Sequence, residues 1–506
     1  MVKLKIIADN KYKYQYYFTL NRFLLTVCYF FLDNQLKYDK IYTKHLKKRG
    51  IVMDKYLLNT EKKEIDNITE MLSNSLDNKD IEDVKVKFNN IIKETKDYSI
   101  EDILNYILEE FAKDLSPLLD ENYTPGLQAG IKNKNFNLSL YGGYYNGKKE
   151  KEIDENTMFS FDSVSKILTS IIAAKEPKTT ISQLNKDFNL DTNIQDILNF
   201  TAMIRTDRRI DNLSPEDTIK ILKNVKEDLE EKKLQKNFYQ YNDIGYMILR
   251  LSIDNFILKL DNLLNLIDDK NLTYKNFENK SLITGGKLEE EFLTPDRKGR
   301  KIIFPGHTGL YGNITGLLNL FENFIENDKI LSKEEKEELF KQPYTDPKVY
   351  TKDGNIQTGK NGSPQYMAKI AGIYRKPNGI TSPDYSKMAS CDISDISTDN
   401  AKASTGTSGA WTVYDNIENF GSYVGGLLTN PYSYVKKDFY ENSKNEIPNT
   451  NLTVNQNGVI LGYQTKLNYY KDLITKYGLL LELLTKYIEK DDKKALDSTK
   501  KLVKKI

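Results

Sequence analysis

The sequence predicts an α+β fold: an antiparallel sheet built from both ends of the chain, flanked by helices, with a helical subdomain between. A helical extension precedes it. Three observations carry this reading. Strand texture opens at Thr124-Pro-Gly and returns from Ala403 to Thr429. The stretch between them is dominated by helical-period apolar runs. A strongly apolar helix, Leu467 to Ile488, follows the second strand set. Two half-sheets separated in sequence bury most surface when they pair and helices cover their faces.

Composition narrows the chemistry. The 506 residues carry Lys+Arg 74 against Asp+Glu 72, a net charge of +2, with the signs interspersed. No nucleic-acid or other polyelectrolyte partner is implied. Cys28 and Cys391 are the two cysteines and lie far apart, so neither a disulfide framework nor a metal-ligand spacing is read. With two histidines, His45 and His307, a His-based triad and a zinc site are set aside, and no metal or cofactor is expected. An activated serine in this chain would rely on Lys or Tyr.

Taken in order, residues 1–52 read as an extension. Their apolar run, Phe23 to Leu32, spans ten residues, against the roughly 20 needed to cross a bilayer as a helix. No small-residue cleavage site follows it, so a cytoplasmic protein is expected, with membrane attachment through residues 18–32 as the alternative. Lys-Lys-Arg-Gly before Met53 is compatible with translation from Met53. Residues 53–99 read as charged helix, with Ile65, Ile68, Met71 and Leu72 on one stripe. Ser99-Ile-Glu-Asp looks like a capping box opening a helix from Ile100 to Leu119. The main domain is placed at 100–490.

Within it, Leu127–Ile131 and Phe136–Leu140 flank Lys132-Asn-Lys-Asn as a hairpin, with turns expected at Gly142-Gly143 and Asn146-Gly147. Residues 175–237 read as helix and loop, and Ile244–Leu251 as a buried helix. Gly306-His-Thr-Gly leads into an amphipathic helix from Ile314 to Ile325; 333–400 reads as polar loop. Trp411–Tyr414 and Tyr423–Thr429 read as strands around a turn at 415–419; 457–463 is a further strand candidate, and 491–506 a charged tail.

The chemistry centres on Met158-Phe-Ser-Phe-Asp-Ser-Val-Ser-Lys, where Ser163 and Lys166 stand three apart. On a helix both lie on one face, a turn apart. A serine hydroxyl needs a partner that takes its proton, and a lysine whose pKa is lowered by desolvation can do so. The spacing alone is weak, since Ser433–Lys436 and Ser498–Lys501 match it too. Its setting distinguishes it: aromatic residues before, an apolar helix after, and two further motifs downstream, Tyr241-Asn-Asp243 and Ser404-Thr-Gly406.

With these three motifs in this order, the chain resembles the serine β-lactamase and penicillin-binding-protein superfamily, whose markers are S-x-x-K, S/Y-x-N and K-T-G. It is most similar to the branch of class C β-lactamases, D-alanyl-D-alanine carboxypeptidases and esterases, over about residues 100–488. The resemblance implies a β-lactamase-like fold. It also implies Ser163 as the acylated nucleophile, with Lys166 and Tyr241 sharing proton transfer. The backbone N–H groups of Ser163 and Thr407 would form the oxyanion hole. Asp243, Ser404, Thr405 and Gly406 would line the substrate.

Two departures bear on substrate. Asp243 stands where the family has Asn, and would pair with Lys166 and raise its pKa. Ser404 stands where the family has Lys or His, removing a cation that would hold a substrate carboxylate; Lys402 replaces it only if the local strand is regular. Both favour a neutral ester, amide or small peptide. His307-Thr308-Gly309 spells the third motif as well, but a helix follows it, so His307 reads as structural. The reading is a serine hydrolase working through an acyl-enzyme. The alternatives are a β-lactamase or D-Ala-D-Ala carboxypeptidase, and a non-catalytic binding or sensor module.

Overall fold

The structure, a computed structural model, describes residues 68–72, 81–95, 98–119, 124–145, 149, 151–176, 178–205, 215–229, 241–268, 270–274, 282–283, 294–295, 301–302, 306–341, 355–356, 358, 369–375, 393–394, 396–398, 400–406, 409–429, 461–491 and 500–506. The chain divides into two units, Met1–Asn59 and Thr60–Ile506, and all described residues belong to the second.

The elements that matter for the site come in this order. Helices α1 (Glu82–Glu94) and α2 (Ile100–Leu115) precede strands β1 (Gly126–Asn133), β2 (Phe136–Gly143) and β3 (Met158–Ser160). Helices α3 (Lys166–Ala174), α4 (Ile244–Ser252) and α5 (Phe256–Ile267) lead to β4 (Tyr311–Gly312), α6 (Ile314–Glu326) and α7 (Lys333–Leu339). Then come β5 (Lys369–Ile370), β6 (Ile373–Arg375), β7 (Lys402–Thr405), β8 (Trp411–Ile417) and β9 (Gly421–Thr429). Helix α8 (Leu461–Asp491) and β10 (Lys500–Lys505) complete the set.

The principal sheet has eight strands in the order β5-β6-β7-β8-β9-β1-β2-β10. The two halves of the chain meet where β1 pairs antiparallel with β9, Leu127 opposite Thr429 and Gly130 opposite Gly426. Every pairing in it is antiparallel except the last, where β10 runs parallel to β2. The sheet is covered on both faces. A Cβ on Gly425 would meet Ile474 of α8, whereas one on the next residue, Gly426, would meet Ile314, Leu317 and Leu318 of α6. Successive strand residues point to opposite faces, so α8 and α6 lie on opposite sides of the sheet. Gly130 and Gly426, paired across β1 and β9, let α6 come close to the backbone.

Local sequence accounts for the helices. Ser99 caps α2 by accepting from the Asp102 N–H, and Asn313 caps α6 by accepting from the Gly316 N–H. In α2 the residues Ile103, Leu104, Ile107, Leu108 and Phe111 are all buried, the stripe expected of an amphipathic helix.

Several sequence expectations change. Residues 500–505, expected within a charged tail, form β10 at the sheet edge, where Lys501 is exposed, Lys504 reaches Glu109 and Lys505 reaches Glu152. Residues 461–463, a strand candidate, are the first turn of α8. The 333–400 stretch is not all loop: Ser332 and Glu335 form a capping box that starts α7, and β5–β6 form a hairpin. Gly142 and Gly143 belong to β2 rather than to a turn, and the 415–419 turn begins later because β8 runs to Ile417. Met71, placed on the apolar stripe, is 42% exposed, while Ile68 and Leu72 are buried. Asn146, Gly147 and Ile65 lie outside the described residues. Among the described residues, no helix is long and apolar enough to cross a membrane.

Candidate active site

Ser163 follows a short strand that is tied down on both sides. In a second, four-stranded sheet, β3 lies between β4 and Leu282–Ile283; Ser160 pairs with Tyr311, and the Phe161 N–H donates to the Leu310 carbonyl. The chain then turns sharply at Asp162, whose φ of 42° is unusual for a residue with a side chain. Aspartate tolerates this region better than most, and here its carboxylate accepts from the Ser160 hydroxyl. A 3-10 turn, Asp162–Ser165, passes directly into α3. Ser165 is buried and accepts from the Leu310 N–H, fixing the turn against β4.

The three-residue spacing brings the two side chains together: the Lys166 ammonium donates to Ser163 Oγ at 3.1 Å. The Tyr241 hydroxyl lies 2.7 Å from Ser163 Oγ. Because the ammonium can only donate, it fills one acceptor position on Ser163 and leaves the serine proton free to point at the Tyr241 oxygen. Lys166 also donates to the His307 carbonyl at 3.2 Å and meets Asp243 Oδ1 at 2.6 Å. Its Nζ sits 5.0 Å from the Tyr241 ring centroid and 5.6 Å from that of Tyr246. The Phe200 ring packs on both tyrosines, with centroids 4.8 and 5.4 Å away.

These contacts decide the charge state. Lys166 is fully buried, which pushes its pKa down; the Asp243 carboxylate, and then Tyr241, more than reverse this, and the net direction is up. Asp243 thus pairs with Lys166 and raises its pKa, as read from the sequence, and this outweighs the lowering that desolvation gives. Tyr241 also ends above the usual phenol value: burial raises it, Lys166 lowers it by less, and Asp243 raises it further. The site at rest thus holds a neutral serine and phenol beside an ammonium–carboxylate pair. His307 is held down at about 4, mainly by burial, with Asp243 opposing and Lys166 adding to the effect. Its imidazole is neutral near pH 7.

The sheet supplies the other wall. A Cβ on Gly406 would fall 2.3 Å from the Phe161 carbonyl oxygen and 3.0 Å from Asp162 Cβ, so the end of β7 lies against the Asp162–Ser165 turn because residue 406 is a glycine. Ser404 is fully buried and donates to the Gly372 carbonyl at 2.8 Å. Gly372 and Ala371, both at positive φ, make the two-residue turn of the β5–β6 hairpin, and a Cβ on Gly372 would meet Lys166 Cβ at 3.2 Å and the Ile167 nitrogen at 3.4 Å. The Thr405 hydroxyl is directed to the Ala410 carbonyl at 3.4 Å. Lys402 does not replace the missing cation. It donates to the Asn400 carbonyl and its ammonium lies about 6 Å over the rings of Phe340 and Tyr414. Thr407 lies outside the described residues.

Of the residues singled out from sequence, Ser163, Lys166, Tyr241 and Asp243 therefore converge, with Gly406 against their turn. Sequence reading missed the His307 carbonyl, the strained Asp162, Phe200 and the Gly372 hairpin. The first is a backbone group, and the others gain meaning only from what they touch. Among the described residues, no cluster of His, Cys, Asp or Glu could hold a metal.

No protein-family model and no curated protein matches the chain. Solved structures do resemble it. They include the octameric penicillin-binding-protein homologue from Pyrococcus abyssi (15% identity, TM-score 0.43, covering 64% of this chain and 73% of the other). The β-lactamase/D-alanine carboxypeptidase from Yersinia pestis is similar at 12% identity and TM-score 0.45, over 64% and 93% of the two chains. A hydrolase with promiscuous acyltransferase activity is similar at 14% and 0.44, over 65% and 94%. At such values the similarity says nothing of activity or substrate, which rest on the residues alone.

Proposed function

We propose that the chain is a serine hydrolase that works through an acyl-enzyme intermediate on a small neutral ester, amide or peptide. The observation that carries this reading is Ser163 Oγ held at once by the Tyr241 hydroxyl at 2.7 Å and the Lys166 ammonium at 3.1 Å. That tertiary contacts bring together three side chains from two distant motifs supports a nucleophilic role for Ser163.

In this mechanism the Lys166–Tyr241 pair first gives up one proton to solvent and then accepts that of Ser163. Ser163 Oγ bonds to the substrate carbonyl carbon, whose π electrons move to oxygen. Collapse expels the alcohol or amine, which regains the proton from the pair. Water repeats the sequence to release the acid and Ser163. The Ser163 N–H, with that of Thr407, is assigned to the oxyanion, normally the largest single contribution to such catalysis. Asp243 sets the proton affinity of the pair. Ser404, engaged with Gly372, presents no cation, which supports a substrate without a carboxylate at that position.

Intact-mass spectrometry after incubation with a fluorophosphonate and, separately, a penicillin tests the proposal on wild type and Ser163→Ala. A single phosphonate adduct, absent from the variant, is expected. A stable penicillin adduct would shift the assignment to the cell-wall peptidase or β-lactamase reading. A folded wild type that takes neither reagent would overturn catalysis in favour of a binding module.

A further inference from the structure

The short helix Ile194–Leu198 ends on Asn199 as its C-cap. Beyond it the Phe200 N–H donates to the Ile197 carbonyl at 3.1 Å, and the Thr201 N–H to the Asp196 carbonyl at 2.8 Å. This is the paired hydrogen bonding of a Schellman end, in which the residue after the C-cap is left-handed and usually glycine. Here that residue is Phe200, with φ 59°. A bulky side chain is strained in this conformation, and glycine would make the same turn without strain. The backbone gives no reason for a phenylalanine, so the reason lies in what its ring touches.

The buried Phe200 ring packs on two tyrosines whose situations differ. Tyr246 is fully buried in α4, with its hydroxyl 3.3 Å from that of Ser170 on α3, so the core fixes it. Tyr241 is 40% exposed, yet its hydroxyl stands 2.7 Å from Ser163 Oγ. Exposed side chains change rotamer freely unless a fixed surface covers one side. Phe200 is such a surface, with centroids 4.8 Å apart and ring planes inclined by 31°. Its helix end is pinned from two directions. The Leu198 carbonyl accepts at 2.8 Å from the Ala371 N–H, in the β5–β6 turn whose Gly372 carbonyl holds Ser404. Ile197 lies against Gly245 of α4, where a Cβ would fall 2.6 Å from Ile197 Cγ2.

We propose that Phe200 is a positioning residue for Tyr241: its ring, carried on a strained but pinned backbone, holds the Tyr241 hydroxyl at Ser163. It acts through Tyr241 and not on the substrate. Its effect on rate rests on the hydrolase reading; its placing of Tyr241 does not.

Phe200→Gly removes the ring and suits the turn; Phe200→Leu keeps apolar bulk without the flat face and serves if the glycine variant does not fold. The second-order rate of fluorophosphonate labelling, read by intact mass on the full chain, should fall at least ~10-fold in either folded variant. In a Tyr241→Phe background, with no hydroxyl to place, the same substitutions should change the rate less than about twofold. A general structural defect would slow both backgrounds alike. Crystal structures of wild type and variant give a readout that needs no activity: without the Phe200 ring, the Tyr241 hydroxyl should lie beyond hydrogen-bond distance of Ser163 Oγ. An unmoved hydroxyl, equal slowing in both backgrounds, or labelling of a folded variant at the wild-type rate would overturn the proposal. A wild type that takes no phosphonate would instead refute the hydrolase reading, and the crystal structures would still decide whether Phe200 places Tyr241.

Discussion

Replacing Asp243 by asparagine keeps the size of the side chain and removes one charge from the heart of the site. Asp243 Oδ1 lies 2.6 Å from Lys166 Nζ; the lysine side chain is fully buried and that of Asp243 is 44% exposed. At that distance Coulomb's law gives about 1.6 kcal/mol in bulk water and about 6 kcal/mol at an effective dielectric of ~20. Partial exposure of the carboxylate screens the pair, so ~2–4 kcal/mol is the reasonable range, or roughly 1.5–3 pH units. Loss of the carboxylate removes what keeps the ammonium charged against its burial, and removes a term that raises Tyr241. Both effects make the coupled pair easier to deprotonate. The second-order rate of fluorophosphonate labelling, followed from pH 6 to 11 by intact mass, should rise to its plateau at a midpoint at least ~1 unit lower in Asp243→Asn than in wild type. An unchanged midpoint would mean that the 2.6 Å contact does not control the proton. Complete loss of labelling at every pH, in a folded variant, would make Asp243 itself the base and refute the assignment to Lys166 and Tyr241.

Two further outcomes follow from the same geometry. Gly406→Ala places a methyl group 2.3 Å from the Phe161 carbonyl oxygen; β7 or the Asp162 turn must shift, and displacement on the ångström scale costs up to ~10²-fold in rate. Labelling should slow at least tenfold while circular dichroism stays native; an unchanged rate would show that the turn tolerates movement. His307, held at about 4 against an ordinary 6.5, is depressed in the folded state. Its contribution to stability is therefore present above pH 6.5 and lost as pH falls toward 4, by about 3 kcal/mol. Chemical denaturation of wild type against His307→Gln over pH 4–7.5 should show that loss in wild type only. Parallel curves would place the imidazole in a more hydrated setting.

What sequence alone determined is the local and the ordered. Ser99 and Asn313 accept from the backbone N–H groups they precede, so their helix starts are written in residues next to one another. Ser163 and Lys166 need only helical periodicity to meet. The short apolar and β-branched runs of β1, β2, β8 and β9, bounded by turn residues, mark them as strands, and the order of the three motifs indicates one site. The strand nature of 500–505 was hidden because an edge strand rich in lysine has the composition of a solvated tail, and only its pairing with β2 separates the two.

Tertiary structure decided the electrostatics. Whether Lys166 is a base or a fixed cation depends on a balance between burial and one carboxylate at 2.6 Å, and neither quantity is encoded in spacing. Ser404 could have faced substrate or protein; the answer came from the carbonyl of Gly372, 32 residues away, reached through a hairpin that the polar 333–400 stretch did not announce. Secondary structure and motif order follow from near neighbours. Proton affinities and the walls of a site follow from distant ones, because Coulomb and hydrogen-bond energies depend on separation in space and on the exclusion of water.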